Sequence, residues 1–165
     1  MVRRRISALL LFLLLLPCTV MAVQLGDRLQ SFNQQDMDGK TINMDEIIGK
    51  KPVMLVFWAS WCPSCKTEVP KVNRLKEQYQ SQGMEFIGIN IGFNDSLKRA
   101  RKFIKKTKMD YPVVFDSSND ITKRYLVRGV PTIIVADSEG IVQYKHYGVP
   151  EISAENFKLL QGAAQ

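Results

Sequence analysis

Beyond its first two dozen residues, the chain's longest unbroken apolar stretch follows Pro52: Val53-Met54-Leu55-Val56-Phe57-Trp58. A run this short, rich in strand-forming side chains, predicts a central strand buried on both faces rather than a helix. The pattern then changes period. From Cys62 to about Gln82, Val69, Val72, Leu75 and Tyr79 recur on one side of a predicted helix, with Pro70 as an interior kink and Gly83 as the stop. Met84 to Ile91 predicts a second buried strand. Asn94-Asp95-Ser96 offers capping side chains to an amphipathic helix whose apolar stripe is Leu97, Ala100, Ile104 and Thr107, and Tyr111-Pro112 ends it. A short strand at Val113 to Phe115 and a short helix at Asn119 to Tyr125 follow. The tail turns antiparallel: strand Thr132 to Ala136, turn Asp137-Ser138-Glu139-Gly140, returning strand Ile141 to Tyr147, then a helix from Ser153 to Gln161. Near the start, Asp38-Gly39 is the turn of a hairpin spanning Ser31 to Asn43. The expected class is α/β with a mixed central sheet flanked by helices, free of internal repeats and of any dividing linker.

The first residues are of another kind. Arg3, Arg4 and Arg5 stand directly before the uncharged, leucine-rich run Ile6 to Leu16, the layout of a secretory signal with a peptidase site after Ala22. Eleven residues are too few to cross a hydrocarbon core, but the stretch reaches eighteen if it continues to Val23, so a retained membrane anchor is the alternative. Cys18 follows Pro17, where a lipidated cysteine would follow a small residue, and reads as discarded with the signal. Residues 1–22 are therefore expected as signal peptide or N-terminal anchor and residues 23–165 as the exported domain.

Composition adds one useful question. The 165 residues are 45% hydrophobic and 24% charged, enough for one domain with its own core and too apolar for a disordered chain. The formal charge of +7 invites a nucleic-acid or membrane role until it is located. Three cations belong to the signal, and seven more (Lys98, Arg99, Arg101, Lys102, Lys105, Lys106, Lys108) crowd into Leu97 to Lys108 without an acid, leaving the rest of residues 23–165 slightly acidic. Phe103 is the lone aromatic residue there, so the stacking platform for single strands is missing and nucleic acid is not an expected partner. The segment reads as a solvated helix face, with a docking surface for an acidic partner or anionic headgroups as the alternative.

Two cysteines follow Cys18. Cys62 and Cys65 flank Pro63-Ser64 where the buried strand gives way to the helix. Structural zinc needs four ligands, and only the single histidine, His146, is available to join them. A disulfide closing so short a loop removes little unfolded-state entropy. Redox chemistry remains. Pro63 suits a first helical turn, which puts Cys62 at the helix N-terminus, where unpaired N–H groups and the macrodipole favour its thiolate. Cys62 is then the nucleophile, and Cys65, one turn inward and sheltered, the resolving thiol. Trp58 reads as core, Trp61 as a shield over the sulfurs, and His146 as a surface or packing residue.

The stretch Phe57-Trp58-Ala59-Ser60-Trp61-Cys62-Pro63-Ser64-Cys65-Lys66-Thr67-Glu68-Val69-Pro70 resembles the active-site segment of thioredoxin-like proteins. More narrowly, it is similar to that of the extracytoplasmic thiol:disulfide oxidoreductases of the TlpA and ResA kind. The resemblance covers roughly Gln24 to Leu160, including the hairpin, the segment from Met84 to Val114, and Gly129-Val130-Pro131-Thr132. It implies a thioredoxin-like fold for residues 23–165, with an N-terminal hairpin and a central strand-helix insertion. It implies a redox-active Cys62–Cys65 disulfide, substrate contacts from Trp61 and Pro63, and a cis Pro131 whose neighbour Val130 offers backbone groups to an extended substrate. Glu68 matches an acid that can take or hand on the proton of Cys65. Val56 stands where cytoplasmic thioredoxins carry a buried aspartate, so that route for a proton is absent.

The same resemblance implies an exported enzyme, periplasmic where two membranes exist and secreted or tethered to the inner membrane. It would reduce disulfides of target proteins, apocytochrome c cysteines before haem attachment being one case, with electrons from a membrane-embedded thiol donor. Neither cofactor nor metal is expected. Three other readings compete. A copper-handling module would add a placed histidine and a longer cysteine spacing. A disulfide-forming or isomerising enzyme would share the fold. A redoxin peroxidase conflicts with a two-cysteine motif opening a helix.

Overall fold

The computed structural model describes residues 23–162; the expected signal or anchor, with Cys18, lies outside the described residues. In chain order the elements are β1 (Asn33–Gln35), β2 (Thr41–Asn43), β3 (Val53–Trp58), α1 (Pro63–Tyr79), β4 (Glu85–Asn90), α2 (Leu97–Thr107), β5 (Val113–Phe115), α3 (Asp120–Arg124), β6 (Thr132–Ala136), β7 (Val142–Tyr147) and α4 (Ala154–Leu160). Every residue of β3 is buried, as its unbroken apolar run demands of a strand covered on both faces. It lies at the centre of a five-stranded sheet in the order β5-β4-β3-β6-β7. The pairs β3–β4 and β4–β5 are parallel, joined through helices α1 and α2, whereas β3–β6 and β6–β7 are antiparallel. The sheet is thus mixed and flanked by helices, the expected class.

Both sheet edges are partly covered, which blunts the pairing hazard of an open strand. The β1–β2 hairpin, turning at Asp38-Gly39, lies beside β5 through the bridge Asp36–Val114 and the bond from Met37 N to Val113 O at 2.7 Å. On the far side, Gly26 N donates to Val142 O and Leu29 N to Gly140 O. Tyr79 at the end of α1 stacks on Phe157 of α4 at 4.3 Å, and its hydroxyl donates to Ile152 O, so the last helix is fastened to the first.

One boundary sharpens and one expectation needs revision. α1 runs through Pro70 to Tyr79, and a turn of 3-10 helix, Gln80–Gln82, precedes the Gly83 stop. In α2 the buried arc is Ala100 with Phe103, Ile104 and Thr107, while Leu97 is 51% exposed. Leu97 lies on the same face, but it is the first residue of the helix, where that face has not yet met the core. Phe103 takes its place by stacking on Trp58 at 4.7 Å. Among the described residues, no helix is long and apolar enough to cross a membrane.

Candidate active site

Site geometry begins at the C-terminal end of β3, the side of an open α/β sheet where crevices form. Cys62 is the N-cap of α1, with extended backbone, and Pro63 occupies the first turn, where its missing N–H is harmless. The Cys62 sulfur accepts the N–H of Cys65 at 3.0 Å, one of the donors that a helix start leaves without a partner. Ser64 Oγ lies 3.5 Å from the same sulfur. Cys62 and Cys65 are joined by a disulfide, with their Cα atoms 5.3 Å apart. An attacking thiol calls for exposure and a resolving thiol for shelter, yet Cys62 and Cys65 are 4% and 2% exposed. What separates them is direction: Cys62 lines a surface groove and Cys65 does not.

Register supplies the second wall. Because β6 runs antiparallel to β3 with Phe57 opposite Thr132, the residues just before β6 come alongside the end of β3. The Val130–Pro131 peptide is cis, and Val130 O lies 3.6 Å from the Cys62 sulfur. From there it can accept a hydrogen bond from the Cys62 thiol once the disulfide opens. Thr132 Oγ1 donates to Gly129 O at 2.7 Å, closing this turn on itself.

Beneath the cysteine loop lies an anchor that sequence reasoning missed. Asp95, whose side chain is 0% exposed, accepts the Ser60 N–H and Ser60 hydroxyl at 2.6 Å each, the Asn90 amide at 2.8 Å and the Ser96 N–H at 2.8 Å. Burial alone would raise its carboxyl, but the bonds from Asn90, Ser60 and Ser96 together outweigh burial and hold it below the ordinary 3.8. Asp95 reads from sequence as one of three capping residues. Ser96 is the actual cap, accepting from Arg99 N, which leaves Asp95 to tie the turn before Cys62 to β4 and to the start of α2. The one legible hint was that three cap-type residues stood where one suffices. Gly92 in the same loop has φ +68°, and a Cβ there would meet Asp116 O at 2.3 Å, so no other residue fits.

Glu68 is 8% exposed. Its carboxylate accepts Lys71 Nζ at 2.8 Å and Val149 N at 2.7 Å, which fastens α1 to the loop after β7, and in the disulfide state it bonds to neither cysteine. Trp61 is 48% exposed, so it is an open flank rather than a lid; its indole N–H donates to Phe93 O at 2.9 Å. Trp58 is buried, His146 is exposed with Nδ1 3.0 Å from Tyr147 O, and Val56 is buried within β3. Lys66, Lys102 and Lys106 join Cys62, Trp61 and Pro63 around the groove, a convergence across two helices that no local pattern displays.

Among known proteins, the AhpC/TSA family matches residues 25–145. The chain is 31% identical over 133 residues to the thiol-disulfide oxidoreductase ResA of Halalkalibacterium halodurans, covering 80% of this chain and 74% of that one. Its structure is similar to that of a thiol:disulfide interchange protein of the thioredoxin family from Chlorobium tepidum, with TM-score 0.68, 26% identity, and coverage of 87% of this chain and 99% of the other. StoA from Bacillus subtilis is similar at TM-score 0.65 and 26% identity, over 79% of this chain and 96% of StoA.

Proposed function

The chain belongs to the AhpC/TSA family and is a thiol-disulfide oxidoreductase of thioredoxin-like fold, and on that premise we propose that it works outside the cytoplasm as a reductase of protein disulfides. The observation that carries the direction is the burial of both cysteines, 4% and 2% exposed, with a single backbone N–H on the Cys62 sulfur. The start of α1 favours a Cys62 thiolate and burial opposes it, which supports a reduced pair less stabilised than that of strong oxidants, whose potential rests on a stabilised reduced form.

In this reading, reduced Cys62 loses its proton at the open end of α1 and attacks one sulfur of the substrate disulfide. The second substrate sulfur leaves as thiolate and takes up a proton. Cys65, passing its proton toward Glu68, then attacks the Cys62 sulfur. The mixed disulfide breaks, Cys62 and Cys65 close their own disulfide, and the substrate departs with two more electrons. Val130 offers its backbone to an extended substrate beside Pro131, with Trp61 and Pro63 on the flank. A membrane-embedded thiol donor returns the two electrons. Residues 1–22 deliver the domain to the periplasm or hold it at the membrane. Apocytochrome c cysteines, which must be reduced before haem is attached, are the substrate class we assign first.

The deciding measurement is the reduction potential of the pair by equilibration with glutathione or thioredoxin. A value below about −200 mV fits a reductase, and one near the roughly −120 mV of DsbA would refute it in favour of a disulfide-forming enzyme.

A further inference from the structure

The seven cations in Leu97–Lys108 do not form one uniform face. Arg99 turns to Asp95, Nε to Oδ1 at 3.5 Å, and to Asn94 O; Arg101 turns to Asp38 at 3.5 Å and to Met37 O. Lys102 and Lys106 differ. Spaced like Arg99 and Phe103 at helical intervals, they share one side of α2, and that side forms the wall of the groove, about 420 Å³ in volume, that Cys62 lines. Lys66, from the second turn of α1, reaches the same groove. Among the described residues, none of these three lysines has an ion-pair or hydrogen-bond partner, and no acidic side chain lines the groove. The acids closest in sequence to its walls are already engaged: Asp95 under Ser60, Glu68 by Lys71 and Val149, and Asp110 by Lys76.

An ordinary solvated helix face explains exposed lysines on α2, but it does not explain why a lysine from a second helix joins them beside the nucleophile. Unpaired like charges gathered in a concavity repel one another and focus a positive field into it. An anion relieves both. We infer that the groove seats an acidic stretch of the substrate protein, placing glutamate or aspartate side chains against Lys66, Lys102 and Lys106 while the adjoining disulfide meets Cys62. Half-exposed Trp61 and the edge of Phe103 supply apolar surface between the charges. A chain segment suits a concave site better than a planar headgroup layer does. Such a layer would meet the side of α2 turned away from the sheet, where Lys98 and Lys105 stand exposed with Lys102 at its edge. The inference rests on Cys62 being the attacking thiol and deepens the proposed function by naming the class of substrate.

The test uses two disulfide-bonded peptides identical except that glutamates flanking the disulfide in one are glutamines in the other. Single-turnover exchange with the reduced protein is followed by stopped flow at low and high salt. The acidic peptide should react about tenfold faster at low salt, the lower end of electrostatic steering in charged clefts, and the advantage should shrink as salt screens it. In the combined variant Lys66→Gln, Lys102→Gln, Lys106→Gln the ratio should fall toward one. Taking a ratio cancels any change in the Cys62 thiolate population, since that affects both peptides alike. A ratio near one in the unaltered protein, or one that the triple variant leaves unchanged, overturns the inference. Sedimentation with phosphatidylglycerol vesicles that depends on the same three lysines, with a peptide ratio near one, would assign the groove to lipid instead. Single-turnover exchange is read whichever way net electrons flow, so a failed ratio and a failed reductase assignment are separate results.

Discussion

Replacing Asp95 tests whether the cysteine loop is held from below. In Asp95→Ala, the Ser60 N–H, the Ser96 N–H and the Asn90 amide all lose their acceptor at a site where the side chain was 0% exposed. A buried donor left without a partner costs about 1–3 kcal/mol, and water entering the vacated space recovers part of that. The expected loss is about 3 kcal/mol, a fall in melting temperature of roughly 10 °C for a domain of this size. The pH dependence separates this cause from simple loss of packing. Because the folded carboxyl is held below 3.8, its contribution is fully present above that value and is lost as pH falls through the folded value. Asp95→Asn keeps one acceptor but no charge, so its deficit, about 2 kcal/mol at neutral pH, should shrink steadily below pH 4. Urea unfolding of the oxidised proteins across that range reads both quantities. A deficit below about 1 kcal/mol for Asp95→Ala, or one for Asp95→Asn that does not change with pH, would refute the role assigned to the carboxylate.

Other consequences follow from the same geometry. Cys65→Ser should trap a mixed disulfide between Cys62 and a substrate peptide, visible by non-reducing electrophoresis, and Cys62→Ser should trap none; equal trapping by both would reverse the assigned roles. Glu68→Gln should slow release of the substrate from Cys62 several-fold while costing about 1 kcal/mol or less in stability, because the amide oxygen can still accept from Val149 N; an unaltered release rate would reduce Glu68 to a tie between α1 and the loop after β7. Gly92→Ala, forced against Asp116 O in a left-handed conformation, should lose about 2 kcal/mol or more by denaturant unfolding, and a neutral result would mean the loop shifts freely. Phe103→Ala, which removes the ring stacked on Trp58, should cost about 2 kcal/mol by the same assay; no loss would mean Trp58 is held without it.

What the chain's order of residues determined by itself is everything carried by neighbours within a turn or a strand. The unbroken run Val53–Trp58 reads as a doubly covered strand, Pro63 suits a helix start, and Asp38-Gly39 suits a hairpin turn, since each follows from the conformational preferences of a few consecutive residues. Those local rules also brought Cys62 and Cys65 into one turn of helix, and with them the class of chemistry. The tertiary structure decided what depends on distance. Val130 reaches the Cys62 sulfur from 68 residues away because of the antiparallel register of β6 on β3, and Asp95 reaches Ser60 from 35 away because β4 pairs parallel to β3. Lys66 and Lys102 look like ordinary surface lysines until two helices set them on facing walls of one groove. Leu97 was misread for the complementary reason: periodicity marks a face, but only packing shows how far along the helix that face meets anything. Hydrophobic pattern and capping are short-range signals, whereas a charged groove or a buried carboxylate hub is made by side chains that become neighbours only when the sheet closes.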